Sequence, residues 1–247
     1  MELKNHQMVS IPFTHVTDDG KGVMLNSDIT VADAYMNNVV ANADQIWVWI
    51  PEIGGYHKFF LKNDGKWYYS QGSKGLFEAT SVTEGGKVYD YSKGLPLGSS
   101  FFYKGSSRGT AAASMTGAGA IESEPEVEIG AELKNHKMMA NPYPTALMLN
   151  DAEQITVEGP YMNNVVANAD QIWVWVAEIG GYHKFFLKND GKWYYSQGSK
   201  GLFEATSVTE GGTVYDYSKG IPAGRAFYYK GSSRGTAAAN VVFKKNF

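Results

Sequence analysis

The 247-residue chain contains no cysteine. That excludes disulfides, zinc–thiolate sites and thiol catalysis, but it does not exclude secretion. No apolar run approaches the roughly 18 residues of a membrane-spanning helix. Basic charge is not in excess either: 22 Lys and Arg stand against 25 Asp and Glu, for a net charge of −3. Nucleic-acid binding has no electrostatic footprint here. No catalytic motif stands out, and no cofactor or metal is expected.

Aromatic residues and glycine are plentiful. Phe, Trp and Tyr make up 14% of the chain, with 16 Tyr and 6 Trp, and there are 28 Gly. Aromatics favour strands and glycines favour tight turns. The chain also repeats itself. Positions 35–113 align with 161–239 at a constant offset of 126, and only eight of these 79 positions differ. The eight are Ile50/Val176, Pro51/Ala177, Lys87/Thr213, Leu95/Ile221, Leu97/Ala223, Ser99/Arg225, Ser100/Ala226 and Phe102/Tyr228. Residues 2–13 align with 132–143 at an offset of 130, so copy 1 carries four extra residues before the main match. A period this long points to two globular domains, not a solenoid of 20–50-residue repeats. We expect copy 1 over 1–120 and copy 2 over 121–247, each large enough to bury its own core. Residues 121–130 are acidic but alternating. They are a linker or the first strand of copy 2, with Val127 and Ile129 facing a core.

Local patterns predict a mainly antiparallel all-β domain, a sandwich or a barrel, with one short helix. Ala32, Tyr35, Met36, Val39, Val40 and Ala43 form one apolar helical face, Thr30 is a plausible N-cap, and Pro160 suits a first helical position in copy 2. Several Asn lower the propensity, so this helix should be short and held by packing. Ile46–Ile50 is apolar on both faces and should be a central strand covered on both sides. Tyr56–Lys62 alternates, Asn63-Asp64-Gly65 is a hairpin turn, and the chain returns as a strand through Trp67, Tyr68 and Tyr69. Further short strands are expected near Leu76–Ala79, Val88–Tyr91 and Ser99–Lys104.

In copy 2 the order of Asn141-Pro142-Tyr143-Pro144, Ile172-Trp173-Val174-Trp175, Gly180-Gly181-Tyr182, Trp193-Tyr194 and Ile221-Pro222-Ala223-Gly224 running into Phe227-Tyr228-Tyr229-Lys230 resembles a repeat module. That module occurs in large secreted and surface-attached bacterial proteins, often just before C-terminal sorting signals. Copy 1 departs from it, with Ile11-Pro12-Phe13-Thr14 and Leu95-Pro96-Leu97-Gly98 in place of the first and last turns. The resemblance implies an exported all-β accessory module without a catalytic residue set, located outside the cell or at its surface. It transfers no functional residue. Met1-Glu2-Leu3-Lys4 does not read as a signal peptide, so export would rely on a signal outside this sequence.

Five features invite a sharper functional reading. Trp67 and Tyr69, with Trp193 and Tyr195 in copy 2, share one strand face next to a tight turn. Aromatic faces so placed stack on sugar rings or anchor protein partners, so these four are the candidate ligand-binding residues and a polysaccharide or cell-surface ligand the candidate partner. The competing role for them is core packing. Gly105-Ser106-Ser107-Arg108-Gly109 offers amides to an anion, although a plain turn needs nothing more. His57 and His183 lack the spaced partners of a metal or catalytic site and are expected at strand ends with a hydrogen-bond partner, while His6 and His136 read as surface residues. Glu78 and Asp90 would suit a glycosidase pair only at the right separation. Gly117-Ala118-Gly119-Ala120 lacks the strand and helix of a dinucleotide loop. The expected role is therefore adhesion or glycan binding without catalysis, or else a purely structural spacer.

Overall fold

The computed structural model describes residues 6–12, 22–50, 53–70, 76–78, 81–92, 94–95, 99–111, 113–117, 127–130, 136–176, 179–196, 202–204 and 207–244. The chain divides into two compact units, Met1–Glu122 and Ser123–Phe247. Each has its own apolar core, and both are all-β and antiparallel.

Unit 1 contains β1 (His6–Ser10), β2 (Ile29–Ala32), β3 (Gln45–Ile50), β4 (Gly55–Leu61), β5 (Trp67–Ser70), β6 (Leu76–Glu78), β7 (Ser81–Glu84), β8 (Lys87–Asp90), β9 (Ser100–Lys104) and β10 (Ser114–Gly117). Six of them form one sheet in the order β1-β9-β3-β4-β5-β6. The β3–β4–β5 meander follows from its turns. At Gly65 the backbone takes φ +78°, which glycine adopts without steric cost, and the turn closes with Lys62 N–H donating to Lys66 O at 3.0 Å. Leu61 thereby faces Trp67, Phe60 faces Tyr68 and Phe59 faces Tyr69. Strand period 2 then fixes the faces. Ile46, Val48, Phe59, Leu61, Trp67, Tyr69, Phe101 and Tyr103 point into the core. Over that core lie Val82 of the β7–β8 hairpin and, partly buried, Ile29 and Val31 of β2 and Met115 of β10. The arrangement is an open sandwich. Among the described residues β1 and β6 are free edges of the large sheet, so it does not close into a barrel.

Unit 2 repeats this plan with β11 (Val127–Gly130), β12 (His136–Ala140), β13 (Ile155–Glu158), β14 (Gln171–Val176), β15 (Gly181–Leu187), β16 (Trp193–Ser196), β17 (Leu202–Glu204), β18 (Ser207–Glu210), β19 (Thr213–Asp216), β20 (Ala226–Lys230) and β21 (Asn240–Phe243). Its large sheet runs β12-β20-β14-β15-β16-β17. Residues 127–130, left above as linker or strand, are a strand paired antiparallel with β21. Among the described residues the small sheet therefore has three strands here, β11-β21-β13, and two in unit 1, β10-β2.

The helical stretch is shorter than its apolar pattern suggests. It is a single 3-10 turn, Val40–Asn42 in unit 1 and Val166–Asn168 in unit 2. β2 ends before Asp33, which takes φ +59°. Asn37 accepts a 2.8 Å bond from Val39 N–H through its own side chain. Such local bonds offer the backbone an alternative to helix, and Met36 and Val39 stay exposed.

Candidate functional site

The four aromatics singled out for ligand stacking lie in the cores. Trp67 is 1% exposed, Trp193 3%, and Tyr69 and Tyr195 4% each. Trp67 packs edge-on to Tyr103 at 6.3 Å, and its backbone N–H donates to Asn26 Oδ1 at 2.7 Å. Trp193 repeats this with Tyr229 and Asn150. No indole face is left open to a sugar, because the side of β5 that carries Trp67 and Tyr69 is the side the small sheet and hairpin cover.

The opposite side of the same sheet carries the accessible aromatics. Trp47 and Trp49 of β3, expected under a covering layer, are partly exposed. Tyr56 of β4 joins them, with rings 5.8 Å from Trp47 and 4.9 Å from Trp49. Phe102 of β9 lies 5.9 Å from Tyr56. His6, expected at the surface, is half-buried with its ring 4.6 Å from Trp47. Burial, then the positive charges of Lys104 and Lys58, hold its pKa below the ordinary value, which favours the neutral ring. The Lys58 ammonium sits 4.1 Å over the Trp47 ring and that of Lys104 5.4 Å from it. Farther along, Lys62 lies 4.2 Å over Tyr68, whose hydroxyl donates to Asp64 at 2.8 Å. The lysine stems shield the rings while their charges remain at the surface. Unit 2 reproduces the patch with Trp173, Trp175, Tyr182, Tyr228, His136, Lys184 and Lys230.

The patch was within reach of sequence reasoning. Lys58 and Lys62 alternate with Tyr56 and Phe60 on β4, and the hairpin register places Tyr68 beside Phe60. The lysines therefore mark the outward face, and Tyr68, not Trp67, belongs to it.

The other singled-out groups have internal partners. His57 and His183 are fully buried, not at strand ends. His57 Nδ1 lies 2.7 Å from the Tyr91 hydroxyl and Nε2 lies 3.2 Å from Glu84 Oε2, which also accepts from the Tyr69 hydroxyl at 2.8 Å. Which atom donates in the Nδ1–Tyr91 contact follows the ring tautomer, and Nε2 faces the Glu84 carboxylate. His183 makes the same contacts with Tyr217, Glu210 and Tyr195. This network pins the β7–β8 hairpin, and its unit 2 equivalent, to the large sheet. Beside it in unit 1, a cleft of ≈ 320 Å³ is bounded by Tyr56, Lys58, Tyr69, Ser70, Thr83, Glu84, Gly85 and Gly86. It adjoins the aromatic patch through Tyr56 and Lys58.

In the Gly105–Gly109 turn the Ser106 amide is taken by one of the chain's own side chains. Ser106 N–H donates to buried Asp44 Oδ1 at 2.6 Å, and the Tyr103 hydroxyl donates to Oδ2 at 2.5 Å. Asp170 takes the same bonds from Ser232 and Tyr229. Asn141 of the Asn-Pro-Tyr-Pro segment is buried and donates to Thr145 O at 2.8 Å, so that segment is a locked turn. Asp90 is exposed and accepts from Ser92 N–H. The Glu78 side chain, His15 and residues 118–120 lie outside the described residues. Among the described residues no three His, Asp or Glu side chains cluster to hold a metal, and no helix is long and apolar enough to cross a membrane. No protein-family model, curated protein or solved structure matches the chain.

Proposed function

We propose that this chain is a non-catalytic binding module of the cell exterior, acting in adhesion or glycan binding, and that each unit binds through the aromatic–lysine face of its large sheet. The supporting observation is the Trp47, Trp49 and Tyr56 patch with Lys58 and Lys104 beside it, present again around Trp173 and Trp175. Aromatic rings accept the apolar face of a pyranose, and the lysines add hydrogen-bond donors and positive charge for acidic groups. One stacked ring contributes about 1–3 kcal/mol by analogy with base stacking. A single unit then binds weakly, in the millimolar range. Two units engaging one polymer raise avidity roughly 10²–10⁴-fold without a new contact.

The test is binding of the chain to immobilised polysaccharides, acidic and neutral, beside single Trp47→Ala and Trp173→Ala variants and the double variant. Each single change removes the avidity gain, and the double change abolishes binding with the far-ultraviolet spectrum unchanged. Lys58→Ala with Lys184→Ala gives a milder loss without disturbing the rings' backbone. Full binding by the double tryptophan variant refutes this surface. Binding to no glycan, together with ordered self-association, favours a spacer or assembly role.

A further inference from the structure

Of the eight differences between the copies, Ser99/Arg225 puts a cation in unit 2 where unit 1 has a hydroxyl. The backbone around it is shared. Ile11 N–H donates to Ser99 O at 3.1 Å, and Asn141 N–H donates to Arg225 O at 3.2 Å. In unit 2 the Arg225 N–H also donates to Pro222 O at 3.2 Å, across a turn in which Gly224 takes φ +75°. The Arg225 side chain therefore leaves from a fixed point, one residue before β20. It bounds a cleft of ≈ 160 Å³ together with Trp175, Tyr215, Asp216, Tyr217 and Pro222. Trp175 also belongs to the aromatic patch, with its ring 4.9 Å from Tyr182, so the cleft continues that face. Its walls are rich in unused donors. The Arg225 guanidinium makes no ion pair or hydrogen bond among the described residues. Trp175 Nε1 and the Tyr215 hydroxyl are buried without a hydrogen-bond partner. Asp216, the acidic residue of the lining, already accepts from the Ser218 N–H at 2.9 Å and hydroxyl at 2.5 Å, and Lys219 offsets its charge.

We propose that this cleft binds the oxyanion substituent, carboxylate or sulfate, of an acidic sugar whose ring stacks on the aromatic face of unit 2. The inference rests on the glycan-binding reading above and adds a ligand class to it. A guanidinium presents a rigid fork of N–H donors that matches two oxygens of one oxyanion, whereas a lysine acts as a point charge. The oxyanion also brings acceptors to a wall whose Trp175 and Tyr215 donors have none. Lys58 and Lys104 recur in unit 2 as Lys184 and Lys230, so any preference they give is common to both units. The Arg225 contribution is not. A neutral sugar meets two like faces, and an acidic one gains an anchor at unit 2.

The experiment uses the full chain carrying Trp47→Ala, which leaves the unit 2 face intact. It is titrated with an oligogalacturonate, a sulfated oligosaccharide and a neutral oligogalactoside, read by nuclear magnetic resonance of the Trp175 indole N–H. Arg225→Ser, which installs the unit 1 residue, weakens binding of the acidic ligand roughly tenfold, the scale of one charge-assisted contact. It leaves the neutral ligand unaffected. Arg225→Lys restores part of the loss. The acidic ligand that responds identifies the group as carboxylate or sulfate. In the chain carrying Trp173→Ala instead, Arg225→Ser changes nothing. The cleft is overturned if Arg225→Ser leaves both acidic ligands unaffected. It is overturned equally if neutral and acidic binding fall together, the mark of a structural role. Binding of no glycan in any arm overturns the glycan reading itself, and this inference with it.

Discussion

Replacing Trp67 with Ala removes a side chain that is 1% exposed and packed edge-on to Tyr103, while the backbone bond to Asn26 remains available. Deleting a buried Trp costs about 3–5 kcal/mol, the sum of lost transfer energy and the cavity left behind. A domain of this size has about 5–15 kcal/mol in total, so unit 1 loses a large share of its stability. At a few degrees per kcal/mol for a domain near 120 residues, its midpoint falls by roughly 10–20 °C. Unit 2 is an internal reference, because Trp193 keeps the same environment there. The assay is differential scanning calorimetry of the intact chain. The variant shows two transitions, one displaced and one in place, and Trp193→Ala mirrors it with the other transition displaced. Trp47→Ala, at a partly exposed position, costs about 1 kcal/mol and moves neither transition far. A single transition shifting as a whole would refute the independence of the two cores. An unshifted midpoint would refute the packing role of Trp67.

Two more outcomes follow from buried polar groups. Asp44→Ala leaves the Tyr103 hydroxyl and the Ser106 N–H without their acceptor, which costs about 2–4 kcal/mol; urea unfolding of unit 1 measures it, and a cost under 1 kcal/mol would mean the network relaxes. The Tyr195 phenol is pushed up to about 12 by burial, then by its hydrogen bond to Glu210. A raised folded pKa favours the protonated form, so this contribution is fully present below the unfolded value near 10 and is lost as pH rises toward 12. Tyr103 and Tyr229 are raised in the same direction by burial and their buried carboxylates. Urea midpoints should therefore fall steeply across that alkaline window, less steeply in Tyr195→Phe, and a flat profile would overturn the argument.

The strands and turns were legible because their signals are local. Asn63-Asp64-Gly65 set the hairpin and with it the register of Phe59, Phe60 and Leu61 against β5. The face assignment of Trp67 was not local. Period 2 says that Trp67 and Tyr69 share a side, but which side is covered depends on strands far away in sequence. The lysines of β4 were the available clue. The helix failed for a related reason: apolar residues at helical spacing also suit an extended segment that packs a few side chains. There, the Asn37 side chain and the 2.9 Å bond from Asp44 N–H to Tyr35 O hold the non-helical course. The burial of His57 had no sequence signature, since Tyr91 and Glu84 reach it only through the fold.

The differences between the copies bear on the proposed aromatic surface. Core changes such as Ile50/Val176 and Leu95/Ile221 nearly conserve volume, which packed cores tolerate. Ser10 faces Ser100 in unit 1, and Ala140 faces Ala226 in unit 2, so that pair changes together. That pair lies on the aromatic side of the sheet with Phe102/Tyr228, whose rings both stay against the Tyr56 or Tyr182 neighbour, while Trp47, Trp49, Tyr56, Lys58 and Lys104 are matched in unit 2 by identical residues. The small sheet is where the described sequences of the units part, with Ser-Met-Thr-Gly in β10 against Asn-Val-Val-Phe in β21. A ligand of the aromatic face must then bind two sites per chain with similar affinity. Stoichiometry from titration calorimetry checks this: two for a neutral oligosaccharide, reduced to one by Trp47→Ala, and a stoichiometry of one in the unchanged chain would refute the equivalence of the two faces.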